Sequence, residues 1–334
     1  MELTVLWFIL VTVLFIGFFF LEGFDYGVGI LLRALGKDDT ERRMIINTIG
    51  PVWDANETWM VTAGGAMFAA FPHVYATMFS GFYLALFLML AALIVRGVAF
   101  EFRSKVANPL WRSAWDWCIV LGSAIPALLW GVAVTNLIQG IPINEKMIYT
   151  GTFFTLLSPY TLLGGLAFLT VFTYHGASYL TLKIADPLAL RARSAALKTG
   201  ILTAIFFLAL VALTYTNTDL FASTGAASCL LLAVAAFVIS YFLMLGKKFG
   251  WAFINSSLAI VFTTIAFFWG LFPRLIVSST NPAFSLTITN ASSSPYTLKI
   301  MTVAALIMVP IVLVYQSYTF WIFRKRVTDK GLEY

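Results

Sequence analysis

The stretch Leu3–Leu32, LTVLWFILVTVLFIGFFFLEGFDYGVGILL, decides the fold. About 20 consecutive apolar residues in a helix cross the roughly 30 Å hydrocarbon core of a bilayer. The run is continuous rather than alternating, which predicts a helix and not a barrel strand. It is too long for the apolar part of a secretory leader and lacks a small-residue cleavage site. It also holds Glu22 and Asp25, so a retained membrane helix is expected.

Similar runs recur along the chain. Of its 334 residues 60% are hydrophobic and 11% charged, and the mean hydropathy is +0.91. That balance excludes a soluble globular domain and leaves no room for a sizeable one beside the spans. An all-α polytopic membrane bundle is expected, as a single integral membrane domain over 1–334. Nine spans are predicted, at about 4–32, 49–70, 75–100, 115–137, 152–180, 199–217, 225–246, 251–273 and 298–323. The second is the most polar. It opens after Pro51 with Trp53-Asp54-Ala55-Asn56-Glu57, and its Gly64-Gly65 pair predicts close helix packing. The connection 274–297, rich in Ser, Thr, Asn and Pro, is expected to form an ordered cap or to touch a partner. Within it Asn290-Ala291-Ser292 matches a glycosylation acceptor, a pattern short enough to arise by chance.

Basic residues segregate by loop. Eighteen Lys and Arg fall in one alternating set of connections and in the C-terminal tail, from Arg33 to Lys330. Three (Lys146, Arg274 and Lys299) fall in the other. The positive-inside rule then predicts an outside N-terminus and a cytoplasmic C-terminus, which an odd number of spans satisfies. The net charge of +6 thus reports orientation, and no nucleic-acid partner is expected.

Metal and cofactor chemistry has few candidate ligands. There are two histidines and two cysteines. His73 follows Pro72 in an outer turn and is expected in solvent; His175 lies within a span and is expected to make a polar packing contact. Cys118 and Cys229 read as small buried hydrophobes. No Cys/His cluster suggests zinc or copper, and Gly27-Val28-Gly29 lacks the rest of a phosphate-binding pattern. Membrane haems are usually held by His or Met, so no metal or haem is expected on this chain.

The acids carry the functional signal. Glu22, Asp25, Asp54, Glu57, Glu101 and Asp116 all fall toward the predicted cytoplasmic face. Carboxylates near hydrocarbon are costly and usually serve ion traffic or pairing. Glu22/Asp25 and Asp54/Glu57 each stand three residues apart on one helix face. Arg96, inside the third span, is the natural counter-ion. Asp54, Glu101 and Asp25 are the candidates for a proton path, with Trp53, Glu57 and Arg96 supporting. Pairing with arginines is the expectation for Glu22 and Asp116, although the flanking Trp115 and Trp117 suggest an interfacial belt for the latter. Asp25 has backbone bonding as its alternative.

Several motifs resemble subunit II of cytochrome bd-type quinol oxidases. They include Gly23-Phe24-Asp25-Tyr26-Gly27-Val28-Gly29, Asp39-Thr40-Glu41-Arg42-Arg43 and Pro51-Val52-Trp53-Asp54-Ala55-Asn56-Glu57-Thr58-Trp59. Thr62-Ala63-Gly64-Gly65-Ala66, Arg96-Gly97-Val98-Ala99-Phe100-Glu101-Phe102-Arg103, Asp116-Trp117, Phe272-Pro273, Ser278-Ser279-Thr280 and Leu298-Lys299-Ile300-Met301-Thr302 continue the match in order. The first hundred residues carry it most specifically. The resemblance implies a nine-helix, haem-free subunit in the bacterial plasma membrane. Its partner, subunit I, would carry two haem b groups and one haem d, and the complex would oxidise quinol and reduce dioxygen to water. A small single-helix subunit, lipid and quinone are further partners it suggests. The resemblance maps a proposed proton-path acid onto Asp54 of the Trp-Asp motif, and the acid of the Arg-Gly-Val-Ala-Phe-Glu stretch onto Glu101. Menaquinol and ubiquinol both stay open as reductants. The region around 217–225 is shorter than in enterobacterial-type members, which puts a structurally held quinone in doubt. Two rivals remain: a proton-coupled secondary transporter, whose site would sit at midplane on broken helices, and a purely structural subunit with every acid paired.

Overall fold

The computed structural model describes residues 2–185, 187–329 and 332, which form an all-helical bundle apart from one two-stranded ribbon. Lys330, counted above in the basic tail, lies outside the described residues. Eleven α-helices follow one another among the described residues: α1 (Leu3–Leu35), α2 (Asp39–Ile49), α3 (Trp53–Ala70), α4 (Pro72–Gly81), α5 (Tyr83–Phe102), α6 (Pro109–Gln139), α7 (Pro159–Lys183), α8 (Leu188–Asn217), α9 (Thr224–Leu245), α10 (Phe249–Leu271) and α11 (Pro295–Ile322). Seven of them, α1, α5, α6 and α8 to α11, are long and apolar enough to cross a membrane. Helices α3 and α7 pack in the same bundle but fall outside that set. The first opens with Asp54 and Glu57, and the second carries threonines, Ser178 and His175 along its length.

Helix α1 is the axis of the bundle. From Leu21 to Gly29 every residue is buried, so it is packed on all sides there. Glycine makes that possible. A Cβ on Gly27 would lie 1.9 Å from the Phe172 carbonyl oxygen, and Gly176 on α7 faces it with equally little room. The two backbones therefore touch where larger side chains would hold them apart. Around this seam Phe15, Phe18, Phe19, Trp130 and Phe172 pack largely edge to face, the arrangement aromatic quadrupoles favour.

Two departures from the sequence expectation have plain causes. The basic segment after the first span is a helix, α2, not a bare connection. The Asp38 side chain caps it by accepting the Glu41 N–H at 2.9 Å, and its eleven residues are too short and polar for hydropathy to reveal. The third predicted span, 75–100, is two helices: α4, which Pro72 starts, ends at Phe82, where α5 begins.

The two ends of the bundle differ. At one end Trp7 Nε1 donates to the Leu298 carbonyl at the start of α11. There strand β1 (Arg274–Ile276) pairs antiparallel with β2 (Leu286–Thr287), Ile276, Leu286, Ile288 and Ala291 are buried, and Ser293 N–H reaches the Ala70 carbonyl at 2.8 Å. The connection is an ordered cap, as expected. Asn290 spends its amide inside it, accepting from Thr287 N–H and donating to the Ser285 carbonyl. At the other end the C-terminal tail is tied down: Val327 N–H donates to the Lys183 carbonyl at 2.7 Å, and Arg43 donates to the Leu332 carbonyl at 3.0 Å. The start and the tail of the chain thus lie at opposite ends of the bundle.

Candidate functional site

Four of the six acids singled out in the sequence, Glu22, Asp25, Glu57 and Asp116, collect at the tail end in two clusters of different make-up. The first joins α1, α3 and α5. Arg96 is fully buried. It pairs with Glu22, and its Nη1 also donates to Glu57 Oε1 at 2.9 Å. The guanidinium lies 5.0 Å from the Tyr26 ring centre and 5.5 Å from that of Phe100, within cation–π range. Asp25, one turn along α1 from Glu22, is fully buried. It accepts from Asn56 Nδ2 at 2.7 Å and not from backbone. Two carboxyls therefore pair with one guanidinium, and a third, Asp25, lies beside them bonded to a neutral amide. Several polar atoms in this group are buried without a protein partner: Glu22 Oε2, Asp25 Oδ1, Tyr26 OH, and Arg96 Nε and Nη2. Buried polar atoms are nearly always satisfied, so this pocket has unused capacity for protons and water. Glu57 is partly exposed and forms its outer edge.

The second cluster is rich in arginine. Asp116 is fully buried and accepts from Arg103 Nε at 2.6 Å and Arg42 Nη1 at 3.0 Å, with Arg33 at 3.9 Å. Arg103 Nη2 reaches Asp39 at 2.9 Å, and Arg112 bonds the same carboxylate at 2.7 Å. The expected pairing of Glu22 and Asp116 with arginines holds in the structure, and Asp116 is not an interfacial belt residue.

Asp54 and Glu101 stand elsewhere. Both are exposed, with no side-chain hydrogen bond or ion pair recorded for either among the described residues. Asp54 begins a stripe along α3 that runs through Thr58, Val61, Gly65 and Phe68, all exposed. These positions recur at the helical period. No atom comes within 4 Å of where a Cβ on Gly64 or Gly65 would stand, so the close packing expected there is not made within this chain. The Trp53 ring packs tilted against Phe100, with centroids 5.1 Å apart, and covers Gly97, tying α3 to α5. On the other side α11 leans on the bundle through buried Leu298 and Gln316, leaving most of its surface bare. Together α3, α5 and α11 present a broad apolar face, larger than a soluble monomer exposes.

Sequence reasoning missed Asn56 and Gln316, which the structure joins to Asp25. Gln316 Nε2 donates to Asn56 Oδ1 at 3.2 Å, and Gln316 Oε1 accepts from Trp59 Nε1 at 2.8 Å. A polar amide in the middle of an apolar helix was the available signal.

His175 does not fit an iron ligand. The Phe20 carbonyl can only accept, so the imidazole Nε2–H donates to it at 3.2 Å, and Nδ1 lies 2.8 Å from Ser256 Oγ, whose one hydroxyl proton also faces the Phe253 carbonyl. Both ring nitrogens are engaged, and His73 is exposed at the start of α4. No grouping of three or more His, Cys, Asp or Glu suited to a metal occurs among the described residues.

Residues 3–323 match the family model described as cytochrome bd terminal oxidase subunit II. The chain belongs to that family. Over 327 residues it is 45% identical to "Cytochrome bd ubiquinol oxidase subunit 2" of Bacillus subtilis (strain 168), covering 97% of each chain. It is 39% identical over 363 residues to "Cytochrome bd-I ubiquinol oxidase subunit 2" of Escherichia coli (strain K12), covering 98% of this chain and 96% of that one. In fold it is similar to a chain of the bd oxidase from Geobacillus thermodenitrificans, with a TM-score of 0.78 at 19% identity, covering 97% of this chain and 100% of the other. As a family member with seven apolar helices it is a multi-pass bacterial membrane protein.

Proposed function

We propose that this chain is the haem-free subunit of a two-subunit quinol:oxygen oxidoreductase. In this reading it crosses the membrane nine times, α3 and α7 included, with its N-terminus outside and its tail in the cytoplasm. The opposite placement of the chain's start and tail supports an odd number of crossings. Haem b and haem d belong to the partner, subunit I, since His175 has no free nitrogen for a metal. The bare face of α3, α5 and α11 suits that partner, with lipid, quinone tails and a small single-helix subunit on the remaining apolar surface.

The chain's own task is to stabilise the haem subunit and to admit protons from the cytoplasm for the reduction of dioxygen to water. The observation that carries this reading is the acid-rich group in which Glu22 and Glu57 share one buried guanidinium and buried Asp25 has no cation of its own, with partly exposed Glu57 at its edge. Acids without a full complement of counter-ions are what proton relays in membranes are built from. Asp54, a few residues from that edge on the face offered to the partner, is the exit toward the haems, and Glu101 lies on the neighbouring helix. A purified complex with Asp54→Asn is expected to keep its haem content and lose most of its oxidase turnover. Full turnover with normal haem content would end the proposal.

A further inference from the structure

The hydrogen bonds from Trp59 to Asp25 have a fixed direction. The indole Nε1 of Trp59 is a donor and nothing else. It meets one end of the Gln316 side chain, which must therefore be the oxygen, so the Gln316 nitrogen points to Asn56. Asn56 in turn must offer its oxygen to Gln316 and its nitrogen to Asp25. Neither amide can flip without setting two donors or two acceptors against each other. Asn56 is fully buried and Gln316 is 8% exposed, so water has little access to relieve such a clash. The relay spans three helices, α3, α11 and α1, and ends as a fixed N–H donor on Asp25 Oδ2.

An oxygen that accepts from a fixed N–H is not the one that carries a proton toward it. The other oxygen, Asp25 Oδ1, is buried and has no partner in the protein. We propose that Gln316 is a positioning residue that, through Asn56, confines the proton carried by Asp25 to Oδ1. The proton then enters and leaves through the carboxyl oxygen that Asn56 does not hold. This rests on the proposal above that Asp25 lies on the proton path. The charged and titratable groups around Asp25 are Glu22 on its own helix, Glu57 on α3, Arg96 on α5 and Tyr179 on α7. Gln316, which α11 contributes, is neutral. Its influence is therefore one of hydrogen-bond direction and not of charge, and nothing in its own ionisation competes with the effect.

Gln316→Met keeps the length of the side chain and cuts the relay, and Trp59→Phe cuts it one link earlier. With Asn56 released, its donor is no longer held on the Asp25 carboxylate. Both variants are expected to move the alkaline limb of the turnover profile to higher pH by about half a unit. Because both act through one chain, the double variant should shift it no further than the larger single one. On an Asp25→Asn background Gln316→Met should shift nothing. If Asp25→Asn slows the complex but Gln316→Met leaves the profile in place with haem content intact, the relay is overturned while the proton path stands. If Asp25→Asn itself changes neither rate nor profile, the path fails first. Should Gln316→Met not assemble, infrared difference spectra of the native complex decide. Its protonated Asp25, assigned by loss of the band in Asp25→Asn, should show the lowered C=O stretch of a carbonyl accepting a hydrogen bond. The stretch of a free carbonyl, or no such band, would overturn the proposal.

Discussion

Two ionic clusters share the tail end of this bundle, and they are built on opposite stoichiometries. Around Asp116 and Asp39 four arginines converge, and each carboxylate is fully engaged. Around Arg96 two carboxyls converge with Asp25 close by, and oxygens are left over. Excess cation around saturated acids makes a lock: it ties the N-terminal part of α2 to α5 and α6 and has no spare site for a proton. Excess acid around one cation makes a site whose protonation can change without dismantling it. The contrast separates a structural cluster from a functional one within a few turns of helix.

The comparison breaks most visibly at the buried cations. Arg96→Leu leaves Glu22 uncompensated in a dry interior and is expected to cost about 3–5 kcal/mol. The loss would be read as failure of the complex to assemble, or as a large drop in its unfolding temperature. Asp116→Asn removes the charge that Arg103 and Arg42 share and sets one of the two against an amide N–H. It should destabilise by about 3 kcal/mol while leaving the pH dependence of turnover in the surviving complex where it was. Asp25→Asn is expected to do the reverse. It keeps an acceptor for Asn56, so stability should change by less than about 1 kcal/mol, yet turnover should fall more than about tenfold, a barrier change of about 1.4 kcal/mol. A turnover defect in Asp116→Asn equal to that of Asp25→Asn would erase the distinction.

Much of this was legible in the sequence. Hydropathy located α1 and α9 to α11 within a few residues, because a span is a local property of composition, whereas α6 and α8 start well before their predicted spans, at Pro109 and Leu188. Glu22, Asp25 and Arg96 stood out for the same reason, as charges inside apolar runs. Partners were not legible. Glu22 and Arg96 are 74 residues apart, and nothing in either segment says that Glu22 takes the cation while Asp25 takes a neutral amide. Asn56 and Gln316 are uncharged, so they do not register in a search for ionisable groups. Gly64-Gly65 read as a place for close helix packing, but no described residue comes within 4 Å of where their Cβ atoms would stand. Helix α2 escaped because its cause is a cap and a polar surface, not an apolar run.

The smallest expected effect sharpens the contrast from outside the bundle. Partial burial pushes the Glu41 carboxyl up, but hydrogen bonds from Arg191 and the Lys37 N–H outweigh it and hold it below the usual glutamate range. A carboxyl whose folded value is depressed stabilises the fold above its unfolded value, and that contribution disappears as the pH falls through the folded value. Unfolding temperatures of the native protein and of Glu41→Gln should therefore differ at neutral pH and converge in acid. Turnover should be unaffected, as for the Asp116 cluster.

The most direct test follows proton uptake from the cytoplasmic side during a single reduction of dioxygen, in complexes with matched haem content. Uptake slowed in Asp25→Asn and normal in Asp116→Asn is the outcome this account requires. Normal uptake in Asp25→Asn, or equal slowing in both, would contradict it.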